Sequence, residues 1–352
     1  MAPPRGARLL IVGNPEIFHI GGHLQRAARE LGLDVRLCDV RNAFDANRWL
    51  ARLSWRWRDR APVHLNAFSD QVCAICREFA PVWLLTTGIA PLTASALGRI
   101  QSLGVKRLNY LTDDPWNPAH RASWFLTALA GYDHVFSPRR ANLEELRAAG
   151  CPNATFLPFA YAPDVHHPEA LAPNEGERLA CDVVFVGGAD DDRVSAIRAL
   201  VDAGFDVNLY GGYWKRSGPL GAAARGHADV ETTRKATIAA RVALCLVRRA
   251  NRDGNVMRSF EIPAIGACML AEDTREHREI YGAEGDAVLY FHNSSDMVAK
   301  VGWLLRHEHE RKRLATAAHR LITTGRHRYR DRLATMLDGD EDAWRSAVSA
   351  DR

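Results

Sequence analysis

Apolar residues fall in two rhythms along this chain. Short unbroken runs, such as Leu9–Val12 and Val242–Val247, read as strands covered on both faces, which need no polar alternation. Between them, apolar residues recur every three or four positions, as on one face of a helix. The opening shows both. ARLLIVG (7–13) is a strand ending in Gly, Asn14–His23 a loop, and 22–31 a helix with Leu24, Ala27, Ala28 and Leu31 on one side. Leu33–Cys38 is the next strand. Strand–loop–helix–strand is the start of a parallel sheet.

The alternation continues with helices over 45–60, 67–79, 93–103 and 140–149, and strands over 82–87, 105–111, 132–136 and 154–157. A stretch with four prolines, 158–180, interrupts it. The pattern then restarts with strand 182–186, Gly187-Gly188, helix 192–203, strand 205–210 and Gly211-Gly212. Two successive modules of similar size predict two Rossmann-like domains, at 1–160 and 181–325, with a linker at 161–180. A polar helical tail at 326–352 then crosses back to the first domain.

Residues 241–272 concentrate the polar chemistry. The run Val242–Val247 breaks into Arg248, Arg249, Asn251, Arg252, Asp253, Gly254 and Asn255. Asn255 is placed to cap a helix starting near Val256, Gly266 to end it, and Ala267–Ala271 to form the next strand. Ligands in open α/β sheets sit beyond the carboxyl ends of strands, and a helix N-terminus flanked by arginines suits a phosphate.

Composition adds bounds. Hydrophobic content of 47% and charged content of 25% are those of a globular protein, and a net charge of +4 is too mild to argue for nucleic acid. The first residues lack the long apolar run and cleavage site of a secretory signal, and seven cysteines fit a reducing compartment, so a cytoplasmic location is expected. Cys73 and Cys76 form CAIC inside a helical segment, where core packing is the reading taken. Along 45–60, Trp49, Leu53 and Trp57 share a face beside Arg48, Arg52 and Arg56. This is either a surface helix with a buried aromatic edge or a peripheral contact with anionic membrane lipid or an acceptor. Asp190-Asp191-Asp192 follows a Gly turn at a helix start, where carboxylates cap, so it is not read as a metal motif. Asp113 and Asp114 close the strand 105–111 ahead of Pro115, where an Asp either caps or reacts.

RSFEIPAIGACMLAED resembles the C-terminal signature of the CgeB-like (spore maturation) glycosyltransferases, a pattern close to R-x-F-E-I-P-A-x-G-A-x-x-L-T-E. DVVFVGGADDDRVSAIRAL, NLYGGYWK, LTDDPW, LPFAYAPDVHHP and LLRHEHERKRLATAAHRLI are similar to other segments of that family or of GT-B enzymes generally. The resemblance implies a GT-B fold, an α/β architecture of two Rossmann-like parallel-sheet domains facing a central cleft. The implied activity is metal-independent transfer of a sugar from a nucleoside-diphosphate sugar, bound mainly by the second domain, to a hydroxyl on a glycan, lipid or small molecule. It further implies that Glu261 holds the ribose hydroxyls, against the alternative of an ion pair with Arg258. Arg258, Arg249, Arg252 and Lys215 become the diphosphate candidates, with Gly187 and Gly188 giving close backbone approach and Asn255 at the helix start. Asp253, eight residues before Glu261, takes the place of the first acid of a Glu-x7-Glu pair near the donor sugar. In the first domain Asp114, then His19, with Asp113 and His23, are the acid–base candidates. The other readings are a nucleotide-sugar epimerase of the same fold and a non-catalytic binding protein.

Overall fold

The computed structural model describes residues 4–338. They group into two compact units. The first comprises residues up to Pro158 together with 250–253 and 329–338, and the second Phe159–Arg249 together with Gly254–Arg328.

The first unit holds a six-stranded sheet of β1 (Arg8–Gly13), β2 (Asp34–Asp39), β3 (Trp83–Thr87), β4 (Lys106–Tyr110), β5 (His134–Ser137) and β6 (Ala154–Phe156), in the order β2-β1-β3-β4-β5-β6. Every pairing is parallel. The runs predicted from unbroken apolarity are buried as expected: Leu9, Leu10, Ile11 and Val12 are fully covered. Helices flank the sheet because a parallel crossover needs one. Leu65–Phe79 supplies Phe68, Val72, Cys73 and Cys76 to the core. All seven cysteines are buried as free thiols. Burial pushes the Cys76 thiol up to about 12, which suits packing and not redox chemistry. The tail segment within the described residues is the helix Tyr329–Asp338, which packs on Ile20–Glu30, with Tyr329 stacked on His23 at 4.7 Å. The remainder of the predicted tail lies outside the described residues.

The second unit repeats the plan with β7 (Cys181–Val186), β8 (Val207–Tyr210), β9 (Ala224–Gly226), β10 (Ala240–Cys245), β11 (Met269–Glu272) and β12 (Leu289–Phe291), in the order β12-β11-β10-β7-β8-β9. All its pairings are parallel too. Its core joins Val183, Phe185, Leu209, Val242, Leu244 and Leu270 to Met297, Val301 and Leu304 of the helix Ser294–Arg306. Residues 159–180 are packed within this unit, with Tyr161 buried and a helix over Pro173–Leu179.

Each sheet reverses its strand order once. The first does so between β1 and β3, the second between β7 and β10. Such switch points leave a crevice at the carboxyl ends of the strands, because the two flanking connections run in opposite directions.

One helix departs from the expected burial. Arg48–Trp57 forms where predicted, but Trp49, Leu53 and Trp57 are exposed. That overturns the reading with a buried aromatic edge. The described side chain that this helix does bury is Ser54, whose hydroxyl donates to the Ala61 carbonyl at 2.9 Å.

Candidate functional site

At the switch point of the second sheet, β7 ends in Gly187-Gly188. The turn lies against a second glycine turn after β8. Gly211 has φ +133°, and a Cβ there would stand 2.4 Å from the Gly187 carbonyl oxygen. Gly187 N–H donates to Tyr210 O at 2.8 Å and Ala189 N–H to Gly212 O at 3.0 Å. The indole N–H of buried Trp214 donates to Gly187 O at 2.7 Å. Asp190 caps the following helix, accepting from Arg193 N–H at 3.0 Å, as the sequence suggested for the acidic run. The Arg193 guanidinium returns to Gly188 O at 3.1 Å.

The neighbouring strand β10 leads towards the helix Arg258–Ile265, which Gly266 ends in the left-handed region at φ +90°. Asn255 does not cap it. The Asn255 side chain is fully buried and accepts the Phe159 backbone N–H at 3.1 Å. In its place Ser259 turns back, its hydroxyl oxygen accepting Val256 N–H at 3.0 Å. Arg258 reaches from the first turn to the carboxyl end of β7, where its Nε–H donates to Val186 O at 3.0 Å. Glu261, one turn later, is 1% exposed. One of its oxygens pairs with Arg258, and the other lies 3.3 Å from His166 Nε2. His166 Nδ1 accepts Ala162 N–H at 3.1 Å, so the neutral ring carries its proton on Nε2 and donates it to Glu261. Arg258, Glu261 and the Gly187-Gly188 turn are thus brought to one end of the second sheet.

Behind this helix lies a buried polar chain. The Ser259 hydroxyl donates to His277 Nε2 at 2.7 Å, because His277 Nδ1–H is committed to Glu272 O, also at 2.7 Å. Burial lowers the His277 pKa to about 4. The Glu272 carboxylate accepts Val247 N–H at 3.1 Å and pairs with exposed Arg249 at 2.7 Å. Arg249 lines, with Asp192, Arg193, Val247, Glu272 and Asn293, a cavity of about 210 Å³ beyond the strand ends. A larger depression, about 940 Å³, runs beside the helix Glu308–Thr324 and contains none of the expected site residues. Lys215 sits exposed in the turn Trp214–Arg216.

The remaining candidates, Arg252 and Asp253 among them, belong to the first unit. Arg252, with φ +55°, grips buried Asp114 through two bonds of 2.7 and 2.9 Å and reaches Glu145 at 2.7 Å. The Asp114 hydrogen bond, then that of Glu145, raises the Arg252 pKa above its ordinary value. Asp114 also accepts Trp116 N–H and an Asn142 amide N–H, each at 3.0 Å. With both oxygens occupied, Asp114 anchors residues 250–253. Asp253 pairs with Arg139, and both side chains are nearly sealed from solvent. Asp113 is half-buried and accepts the Thr112 hydroxyl at 3.3 Å. His19 is exposed, 3.4 Å from Glu16, and His23 is buried with Nδ1 2.7 Å from Arg26.

Sequence reasoning missed His166, Ser259, His277 and Arg139. His166 stands beside a second His in a Pro-rich stretch, and nothing in the spacing says which one turns inward. Ser259 and His277 are eighteen residues apart, so no local pattern links them.

Residues 193–338 match the family model described as glycosyl transferase-like. No curated protein matches this chain. Among solved structures, sucrose-phosphate synthase from Thermosynechococcus elongatus superposes with a TM-score of 0.68 at 11% identity, covering 95% of this chain and 98% of that one. HepE of Anabaena, solved with UDP and glucose, gives 0.63 at 12%, covering 95% and 100%. A UDP-N-acetylglucosamine 2-epimerase gives 0.52 at 12%, covering 98% and 95%. The chain therefore has the GT-B fold of two Rossmann-like parallel-sheet units, and its residues 193–338 are glycosyl transferase-like.

Proposed function

We propose that this protein is a glycosyltransferase that moves a sugar from a nucleoside-diphosphate sugar to a hydroxyl of a glycan, lipid or small molecule, with a kinship to the CgeB-like group. The observation that carries the reading is the Arg258–Glu261 pair. A guanidinium at the carboxyl end of β7 and a buried carboxylate one turn on stand at a sheet's switch point, inside the glycosyl transferase-like region. Glu261 offers acceptor oxygens suited to a ribose diol, exchanging its internal partners for the ligand. Arg258 offers charge to a diphosphate, with the Gly187-Gly188 turn, Arg249 and Lys215 as further contacts. In transfer, the acceptor oxygen forms a bond to the anomeric carbon, and the bond from that carbon to the diphosphate oxygen breaks. The electron pair leaves with the diphosphate, where fixed cations stabilise it. The acceptor proton passes to a base, for which Asp114, His19 and Asp113 are the proposed candidates.

The test is incubation of the full chain with a panel of nucleoside-diphosphate sugars and crude cell glycans, in excess chelator. Release of nucleoside diphosphate with a new glycoside supports transfer. An altered nucleotide sugar would identify an epimerase, and tight binding without turnover a binding protein. Activity lost in chelator and restored by Mg²⁺ or Mn²⁺ would defeat the metal-independent mechanism.

A further inference from the structure

The helix Arg48–Trp57 is amphipathic in the wrong sense for a packed helix. Trp49, Leu50, Leu53 and Trp57 are 73%, 58%, 61% and 76% exposed. At 3.6 residues per turn these four fall within a sector of about 100°. Arg52 and Arg56 border that sector on one side, with the Arg52 guanidinium over the Trp49 ring. Leu and Trp side chains normally face the core, and a contiguous exposed set of them marks a surface that meets something apolar.

Polar contacts hold the helix in place instead of its own apolar face. Asn47 caps it, accepting Trp49 N–H at 3.0 Å. Ser54 ties it to Ala61. Beyond its end, Asp59 accepts the Ser123 hydroxyl at 2.5 Å, and Arg60 donates to Pro118 O at 2.8 Å. Trp and Leu are therefore displayed on a helix fastened to the rest of the unit beyond its C-terminal end, which is a costly arrangement in water unless the face is covered in use.

We propose that this face docks on an anionic lipid bilayer surface. Charge complementarity decides for lipid. Between Ala46 and Arg58 there is no acidic residue, while Arg48, Arg52, Arg56 and Arg58 are basic. A helix with Trp and Leu on one exposed sector and Arg along its border matches what lies flat at the headgroup level. There the rings and leucines enter the acyl boundary and the guanidinium groups stay at the phosphates. No described helix is long and apolar enough to cross a membrane, so the contact is interfacial. The inference does not depend on the donor chemistry above.

The test is co-sedimentation of the full chain with mixed phosphatidylcholine–phosphatidylglycerol vesicles and with pure phosphatidylcholine vesicles. Two variants, Trp49→Ala/Leu53→Ala/Trp57→Ala and Arg52→Gln/Arg56→Gln, are compared with the parent. The parent is expected to sediment with the mixed vesicles and to be released by salt. Each variant should lose about tenfold or more in partitioning, given that one basic residue near such a surface is worth roughly fivefold. Nucleoside-diphosphate affinity is expected to stay unchanged in both variants, which separates this test from that of the donor site. Absence of co-sedimentation, or equal partitioning onto neutral and anionic vesicles, overturns the proposal. A solution dimer that the triple variant dissolves, without vesicle binding, would assign the face to a second copy of the chain and overturn it equally.

Discussion

The Ser259 hydroxyl oxygen lies 2.7 Å from His277 Nε2, and this contact ties the helix bearing Arg258 and Glu261 to the helix Arg275–Tyr281, whose His277 is in turn bonded to Glu272 O at the end of β11. Nothing in the pair touches solvent. Its consequence is a pH dependence. An unfolded His titrates near 6.5, whereas burial holds folded His277 neutral down to about 4. Above pH 6.5 both states are neutral. Between 6.5 and 4 the unfolded chain binds the extra proton, so stability falls as pH falls through that window, by about 1.4 kcal/mol per pH unit at most. Urea unfolding at pH 5 and pH 7 should show a smaller midpoint at pH 5, and His277→Gln should flatten that difference. An unchanged pH slope in the variant would assign the effect to other groups.

The contrast between this pair and the strands beside it shows what local sequence carries. Leu9–Val12 and Val242–Val247 announce buried strands because the signal is the run itself, and two successive modules separated by a Pro-rich stretch announced two parallel sheets. Gly266 was legible as a helix end because the left-handed region it occupies favours glycine over any other residue. Asn255 was misread because a polar residue before a helix is the usual cap, while its actual partner, the Phe159 N–H, is nearly a hundred positions away in sequence. Arg252 and Asp253 read as donor-side residues from spacing alone. Their partners Asp114, Glu145 and Arg139 are chosen by the path of the chain through a positive φ at Arg252, which composition does not encode. The exposed Trp face of Arg48–Trp57 had the periodicity of a core face, and periodicity does not say which way a helix is turned.

The fork between Arg252 and Asp114 gives that carboxylate an anchoring role, which can be tested against a catalytic one. Asp114 is fully buried and receives Arg252 on both oxygens, so removing the arginine leaves a buried charge short of its partner. Arg252→Gln should cost roughly 1–3 kcal/mol, below the range for fully buried pairs because Arg252 is itself partly exposed. Arg252→Lys should not restore the loss, since an ammonium cannot bond both oxygens in the fork geometry. A double-mutant cycle with Asp114→Asn, read by thermal unfolding, should return a coupling of about 1 kcal/mol or more. If Asp114→Asn abolished turnover with unchanged stability and no coupling to Arg252, the carboxylate would be the base after all.

Gly211 holds the two glycine turns together, and it is the most sharply constrained backbone position near the site. Its φ of +133° lies where L side chains rarely go, and an added Cβ would sit 2.4 Å from the Gly187 carbonyl oxygen. Backbone on both sides leaves no flexible atom to yield. Gly211→Ala should therefore destabilise by roughly 1–3 kcal/mol, and it should displace the Gly187-Gly188 turn. Trp214→Phe, which removes the indole N–H from Gly187 O, is the milder companion, at about 1 kcal/mol. Thermal unfolding with and without a nucleoside diphosphate checks both. Under the proposed role of the turn, ligand stabilisation shrinks more than intrinsic stability does. Full ligand stabilisation in a folded Gly211→Ala protein would remove Gly187 and Gly188 from the diphosphate contacts.

Glu261 poses the sharpest choice, because the carboxylate already has two internal partners, Arg258 and His166. If those contacts were its whole purpose, Glu261→Gln would lower stability and leave nucleotide affinity alone. If the carboxylate also receives ribose hydroxyls, the neutral amide keeps the shape but weakens charge-assisted bonds, and one of its two polar ends becomes a donor facing donors. The expected outcome is a rise in the nucleoside-diphosphate Kd of roughly 10- to 100-fold, the ~1.5–3 kcal/mol of hydrogen bonds to a charged group. His166→Phe should weaken binding less, because it removes a group that orients Glu261 and leaves the carboxylate in place. Titration calorimetry on variants shown to be folded by their circular dichroism separates the two cases. A Glu261→Gln protein that binds nucleoside diphosphate as tightly as the parent would confine the residue to its pairing with Arg258 and His166.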